Sequence, residues 1–132
     1  LKKYLIDTNI CIFYIKGKFD LKSKFEKADP NNCFISEITL AELKFGVQNS
    51  EQIEKNQKAL DKFLTGVNIV PIFHSLDLYA KEKTRLRKAG TPIDDFDLLI
   101  GVTSLAHNLT MVTNNTDHFK RITGIALEDW TK

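Results

Sequence analysis

Apolar and polar positions along the chain alternate between two rhythms. Short apolar-dominated runs occur at residues 4–6, 33–35, 67–70, 110–112 and, more weakly, 126–128. Between them apolar residues recur every three or four positions, which lines them up on one face of a helix. One such segment follows Asn9, with Ile10, Phe13 and Tyr14 on a face. A second, residues 36–47, carries Ile38, Ala41 and Phe45, and a third, residues 52–64, carries Ile53, Leu60 and Leu64. Two more cover residues 76–88 and 95–107. Gly46, Gly66, Gly90 and Gly124 mark segment ends, and Pro92 stands shortly before a helix.

Runs alternating with helices predict an α/β fold with a parallel sheet, because parallel strands need long crossovers and the crossover helices cover both faces. The 132 residues suffice for one core, and no repeat, linker or low-complexity tract divides them. One domain over residues 1–132 is the expectation. In such sheets ligands bind beyond the carboxyl ends of the strands, so the residues after each run come first.

Asp7 ends the first run, in YLIDTNICIFYI. Aspartate is a good helix N-cap, but Thr8 and Asn9 cap as well and lie closer to the helical pattern. Glu42 lies in SEITLAELKFG. Thr39-x-x-Glu42 matches a capping box, yet Ser36 is the better cap, which places Glu42 more than a turn inside its helix. For Glu42 alone, a solvated surface role and a functional one both stand. Asp97, in PIDDFDLLIGV, follows the natural caps Asp94 and Asp95 and lies between Phe96 and Leu98. Its neighbours along the helix include Gly101 and Ser104, small enough to leave room for something to approach. After the fourth run, TMVTNNTDHF brings Thr113, Asn114, Asn115 and Asp117 to another strand end, although Asn-Asn is also ordinary turn chemistry.

Charge changes this picture little. A net charge of +2 permits a polyanionic partner without arguing for one. Cys11 and Cys33 fit neither a zinc knuckle nor a disulfide framework, and their apolar neighbours predict buried thiols in a reducing cytosol. His74, His107 and His118 are scattered, which predicts surface or structural roles and excludes zinc. The first apolar run is too short and too polar for a signal peptide or a membrane span, so a cytoplasmic protein is expected. Carboxylates converging at one sheet edge raise each other's pKa unless something neutralises them. A hard cation such as Mg²⁺ or Mn²⁺ would do so with oxygen ligands, and such a site suits phosphodiester hydrolysis.

YLIDTNICIFYIK, ISEITLAELKFG, GTPIDDFDLLIGVTSLAHNLTMVTNNTDHF and the late EDW together closely resemble the PIN-domain ribonucleases of the VapC toxin type. The resemblance runs along essentially the whole chain. It implies a PIN-like doubly wound parallel sheet with helices on both faces. It also implies an Mg²⁺- or Mn²⁺-dependent endoribonuclease, often a homodimer, silenced by a VapB-type antitoxin. Asp7, Glu42 and Asp97 match the family's metal-holding acids. Many PIN domains add a fourth acid, where this chain has the neutral Asn115, with Asp117 two residues on. Thr8 and Thr113 match positions that hydrogen-bond the acids or a metal-bound water.

The basic stretch KEKTRLRKAG, with Lys44 and Lys120, reads either as a phosphate-binding face or as a solvated one. Two rivals remain. One is a phosphatase using Asp7 as nucleophile, for which residue 9 would be a second acid rather than Asn. The other is a non-catalytic PIN module for RNA or partner binding, from which the three acids tend to be lost.

Overall fold

Leu5 and Ile6, both fully buried, explain the centre of the molecule. Successive strand residues face opposite sides of a sheet, and these two enter different cores. The structure, a computed structural model, describes residues 1–132. It contains β1 (Tyr4–Ile6), β2 (Cys33–Ser36), β3 (Asn68–Val70), β4 (Thr110–Val112) and β5 (Leu127–Glu128). All pair in parallel in the order β3-β2-β1-β4-β5. The helices are α1 (Thr8–Ile15), α2 (Leu21–Ala28), α3 (Glu37–Gln48), α4 (Ile53–Leu64), α5 (Leu76–Lys88), α6 (Asp95–Ala106) and α7 (Thr116–Phe119). No helix is long and apolar enough to cross a membrane.

One core joins Ile6, Ile35 and Val112 to Ile10, Phe25, Leu43 and Phe63 from α1–α4. The other joins Leu5 and Met111 to Leu86, Leu98, Val102, Phe119 and Ile122. This is the parallel sheet covered on both faces that the pattern predicts, in the doubly wound form that the resemblance implies. Cys11 and Cys33 are buried free thiols, also as expected.

Three local expectations are corrected. Asp7 itself caps α1, accepting a hydrogen bond from the Thr8 N–H, so Thr8 and Asn9 already belong to the helix. On α3 the buried stripe is Thr39, Leu43 and Val47; of the expected residues Ile38 packs half-buried against the second core, while Ala41 and Phe45 are exposed. Ser36 caps that helix directly at the strand end, which fixes its rotation and leaves Phe45 68% exposed. The third concerns α2, absent from the pattern. It buries only Leu21 and Phe25 among lysines, and its N-cap Asp20 makes no capping hydrogen bond. Two apolar residues one turn apart carry too little periodicity to announce a helix. The sheet edges also depart from continuous burial: Ile69 on β3 is 46% exposed.

The middle of α6 is buried all round, through Leu98 and residues 100–104. Gly101 is where the chain after α7 comes closest. A Cβ there would lie 2.4 Å from Ile122 Cδ1 and 3.5 Å from Phe119 Cδ1. The room beside Asp97 is therefore filled by the protein's own side chains. Gly101→Val is expected to cost about 2–3 kcal/mol by overpacking, read as a lowered urea midpoint at unchanged slope.

Candidate active site

The strand order reverses direction between β1 and β4. Chain order runs β1, β2, β3 to one side, then β4, β5 to the other. Such a reversal splays the following loops apart and opens a crevice at the carboxyl ends. Asp7 and Thr113 follow the neighbouring strands β1 and β4 and meet directly at their carboxyl ends. Register pairs Ile6 with Val112, and the Asp7 N–H donates to Val112 O at 2.9 Å. The Thr113 hydroxyl donates to Asp7 Oδ2 at 2.8 Å, while the Thr8 N–H donates to Oδ1 at 2.8 Å. Thr113 Oγ1 in turn accepts from the Asn115 N–H at 3.0 Å. Both carboxylate oxygens of a residue only 6% exposed are thus oriented by neutral donors.

Glu42 reaches the same crevice from the second turn of α3. Thr8 Oγ1 donates to Glu42 Oε1 at 2.7 Å and lies 3.1 Å from Thr39 Oγ1. A hydroxyl has one proton, so the chain of donors runs from Thr39 through Thr8 to Glu42. Thr8 therefore ties two acids together, one by its backbone and one by its side chain. Thr39 was visible in the sequence only as a capping candidate. Its place three residues before Glu42 on one helix face is the signal that would have found it. Thr8→Val keeps the shape and removes the hydroxyl. If Glu42 holds a metal, losing the hydroxyl behind it is expected to cost about 10–100-fold in the activity of the site, with the melting temperature changed little.

Asp97 stands in the first turn of α6, behind the cap Asp94, whose side chain accepts from the Phe96 N–H. Its side chain is 36% exposed, and Oδ2 lies 3.2 Å from His118 Nε2. His118, expected at the surface or in a structural role, is thus brought against an acid by α7. No sequence spacing pointed to that contact, because it depends on the close packing of residues 119–122 on Gly101.

The sequence profile of the PIN domain family matches residues 4–125. Ribonuclease VapC2 of Rickettsia felis is 41% identical over 132 residues, covering 98% of each chain. The chain belongs to the PIN-domain ribonucleases of the VapC type. Another relative is the tRNA(fMet)-specific endonuclease VapC of Shigella flexneri, 32% identical over 98% of each chain. Among solved structures, VapBC2 of R. felis bound to a promoter DNA fragment superposes with a TM-score of 0.90. It is 39% identical over 96% of this chain and 98% of that one. DNA-bound VapBC of Salmonella typhimurium superposes with a TM-score of 0.91 and 31% identity, over 98% and 99% of the two chains.

In this PIN domain the two fourth-position candidates part company. Asn115 precedes α7 and its backbone N–H is held by Thr113, keeping it at the crevice rim. Asp117 points outward, 92% exposed, and pairs with Lys120 at 3.1 Å. The basic stretch is partly committed as well. Lys83 pairs with Asp95 at 2.9 Å, and Arg85 pairs with the buried Glu82 at 2.8 Å. Lys44 is exposed on α3 without a carboxylate partner.

Burial is the main cause that pushes the Asp7 carboxyl up to about 6, against the pull of its Thr113 and Thr8 hydrogen bonds; repulsion from Asp97 and Glu42 adds to the rise. Burial also raises Asp97, with His118 opposing it. No lysine or arginine pairs with Asp7, Glu42 or Asp97. The side chains as they stand do not close three ligands around one point. The donor set is nevertheless carboxylate oxygen, without a lysine or arginine partner and partly open to water. That fits a hard divalent cation that retains several waters of its own.

Proposed function

We propose that this VapC-type PIN domain is a divalent-cation-dependent endoribonuclease and the toxin of a VapBC-type pair. The supporting observation is the acid cluster at the sheet's switch point, without a lysine or arginine partner. Asp7, Glu42 and Asp97 would hold Mg²⁺ or Mn²⁺. When bound, such a cation supplies a water of lowered pKa and neutralises charge on the phosphoryl oxygens. The chain's own contribution is orientation. Thr113 and the Thr8 N–H aim the two oxygens of Asp7, and the Thr39–Thr8 relay aims Glu42. The rigid strand ends keep that geometry fixed, which is what positioning catalysis requires.

The named relatives are ribonucleases, and one is specific for tRNA(fMet). RNA is accordingly the substrate proposed here, and an antitoxin of the VapB type the partner. An arginine from that partner suits the acids, since a guanidinium binds carboxylate bidentately. A homodimer belongs to the same reading, and light scattering of the eluted protein measures it. The phosphatase alternative has little support, as Asp7 is followed two residues on by Asn9 rather than a second acid.

The test is cleavage of a mixed RNA pool by the purified chain. Cleavage with Mg²⁺ or Mn²⁺ that stops on chelation and returns on readdition is the expected result. RNA left intact in both ions would overturn the reading, and cleavage undiminished by chelator would remove its metal.

A further inference from the structure

His118 is fixed from behind. Arg121 Nη2 meets His118 Nδ1 at hydrogen-bonding distance. The same guanidinium donates from Nε to His118 O at 3.1 Å and from Nη1 to Pro92 O at 3.2 Å. The Arg121 carbonyl is held by Arg85 Nη2 at 2.7 Å, and the Thr123 N–H donates to Glu82 Oε2 at 3.2 Å. Residues 118–123 are therefore tied to α5 and to the entry of α6, and Ile122 rests on Gly101 one turn beyond Asp97.

A guanidinium has only N–H donors and keeps its proton. Facing one, Nδ1 must present its lone pair, and the ring carries its proton on Nε2. That nitrogen is buried and makes no hydrogen bond as the side chains stand, with Asp97 Oδ2, 3.2 Å away, the acceptor at hand. A buried N–H without a partner is costly, so the carboxyl is drawn toward the ring. A role for His118 as a cation ligand would need the opposite tautomer, with a proton on Nδ1 pointing at the guanidinium.

We propose that Arg121 locks His118 in the Nε2–H tautomer, making His118 a positioning residue that holds Asp97 by donating to it, and not a ligand of the cation. This rests on reading Asp97 as an acid of the active site.

The tautomer is measured directly in the full ¹⁵N-labelled chain, metal-free and near neutral pH, by long-range proton–nitrogen correlation of the imidazole rings. His118→Gln identifies the signal by its loss. A lone-pair Nδ1 with a protonated Nε2 is expected for His118. Arg121→Met, which removes the donors, should release it to a mixture. A protonated Nδ1 in the wild type, or an unchanged tautomer in Arg121→Met, overturns the proposal.

The second measurement is Mn²⁺ affinity by calorimetric titration. His118→Ala should weaken it about 10-fold, and His118→Gln, which retains an amide N–H, should recover most of that loss. Equal losses in both variants would mark His118 as a ligand and overturn the proposal. A wild type that binds no Mn²⁺ and cuts no RNA would sink the functional reading instead, while the tautomer measurement still decides the lock.

Discussion

Asp7→Asn and Asp97→Asn are each expected to lower RNA cleavage on the order of 10³-fold or more, with the folded chain intact. The magnitude follows from removing a charge that, on the proposed reading, would hold the cation. Lewis-acid stabilisation of a phosphoryl transition state supplies several kcal/mol, and each 1.36 kcal/mol is a factor of ten in rate. The intact fold follows from the local structure. Asn caps a helix as well as Asp, so the Thr8 N–H keeps its acceptor at position 7. The amide also offers polar atoms to Thr113. At position 97 the cap is Asp94, not the substituted residue. Initial rates on a defined RNA at saturating Mn²⁺, beside thermal melts of the same samples, check both halves. Wild-type rates in either variant would remove that acid from the mechanism. A large fall in metal-free melting temperature for Asp97→Asn would assign Asp97 a structural role.

The residues that carry this prediction were legible in the sequence to different depths. Strand ends could be read because apolar runs stop abruptly, and Asp7 stops one. The parallel sheet was legible too, since its central strands are buried on both faces. The meeting of Asp7 with Thr113 was not readable from spacing. It depends on β4 inserting beside β1, 106 positions away in the chain, and on the register Ile6–Val112. The rotation of α3 escaped for a related reason. Phe45 is among the most apolar residues of its helix, and periodicity counts it as core, whereas the cap at Ser36 turns Thr39, Leu43 and Val47 inward. His118 escaped entirely. A histidine beside a phenylalanine in a short polar segment carries no period, and only the bare backbone of Gly101 lets α7 and the chain after it bring His118 to Asp97.

The metal-free protein is expected to lose stability as pH rises from about 4 to about 7, and a divalent cation is expected to restore it. Asp7 sits near its usual 3.8 in the unfolded chain and at about 6 in the fold. Between those values the native state keeps a proton that the unfolded state has released. Stability therefore falls with rising pH in that window and levels off above it. At 1.36 kcal/mol for each pH unit separating the two values, the loss approaches about 3 kcal/mol. Asp97 is raised as well and adds in the same direction. Glu82 and Glu128 are lowered from 4.5 and Asp95 from 3.8, so their contributions fade as pH falls below those values and oppose the effect only at the acid end of the window. The difference between wild type and Asp7→Asn isolates the group: near zero at pH 4, and in favour of the variant above pH 6. A cation at about 100 times its Kd then adds about 2.7 kcal/mol to the wild type by mass action. That amounts to roughly 3 °C per kcal/mol for a domain of this size. The variant, lacking the charge, should gain much less. Urea titrations across pH, with chelator or with Mn²⁺, read all of this at once. A wild-type-to-variant difference that stays flat with pH would mean the Asp7 carboxylate is at ease in its crevice, and the physical reason for a cation there would be gone.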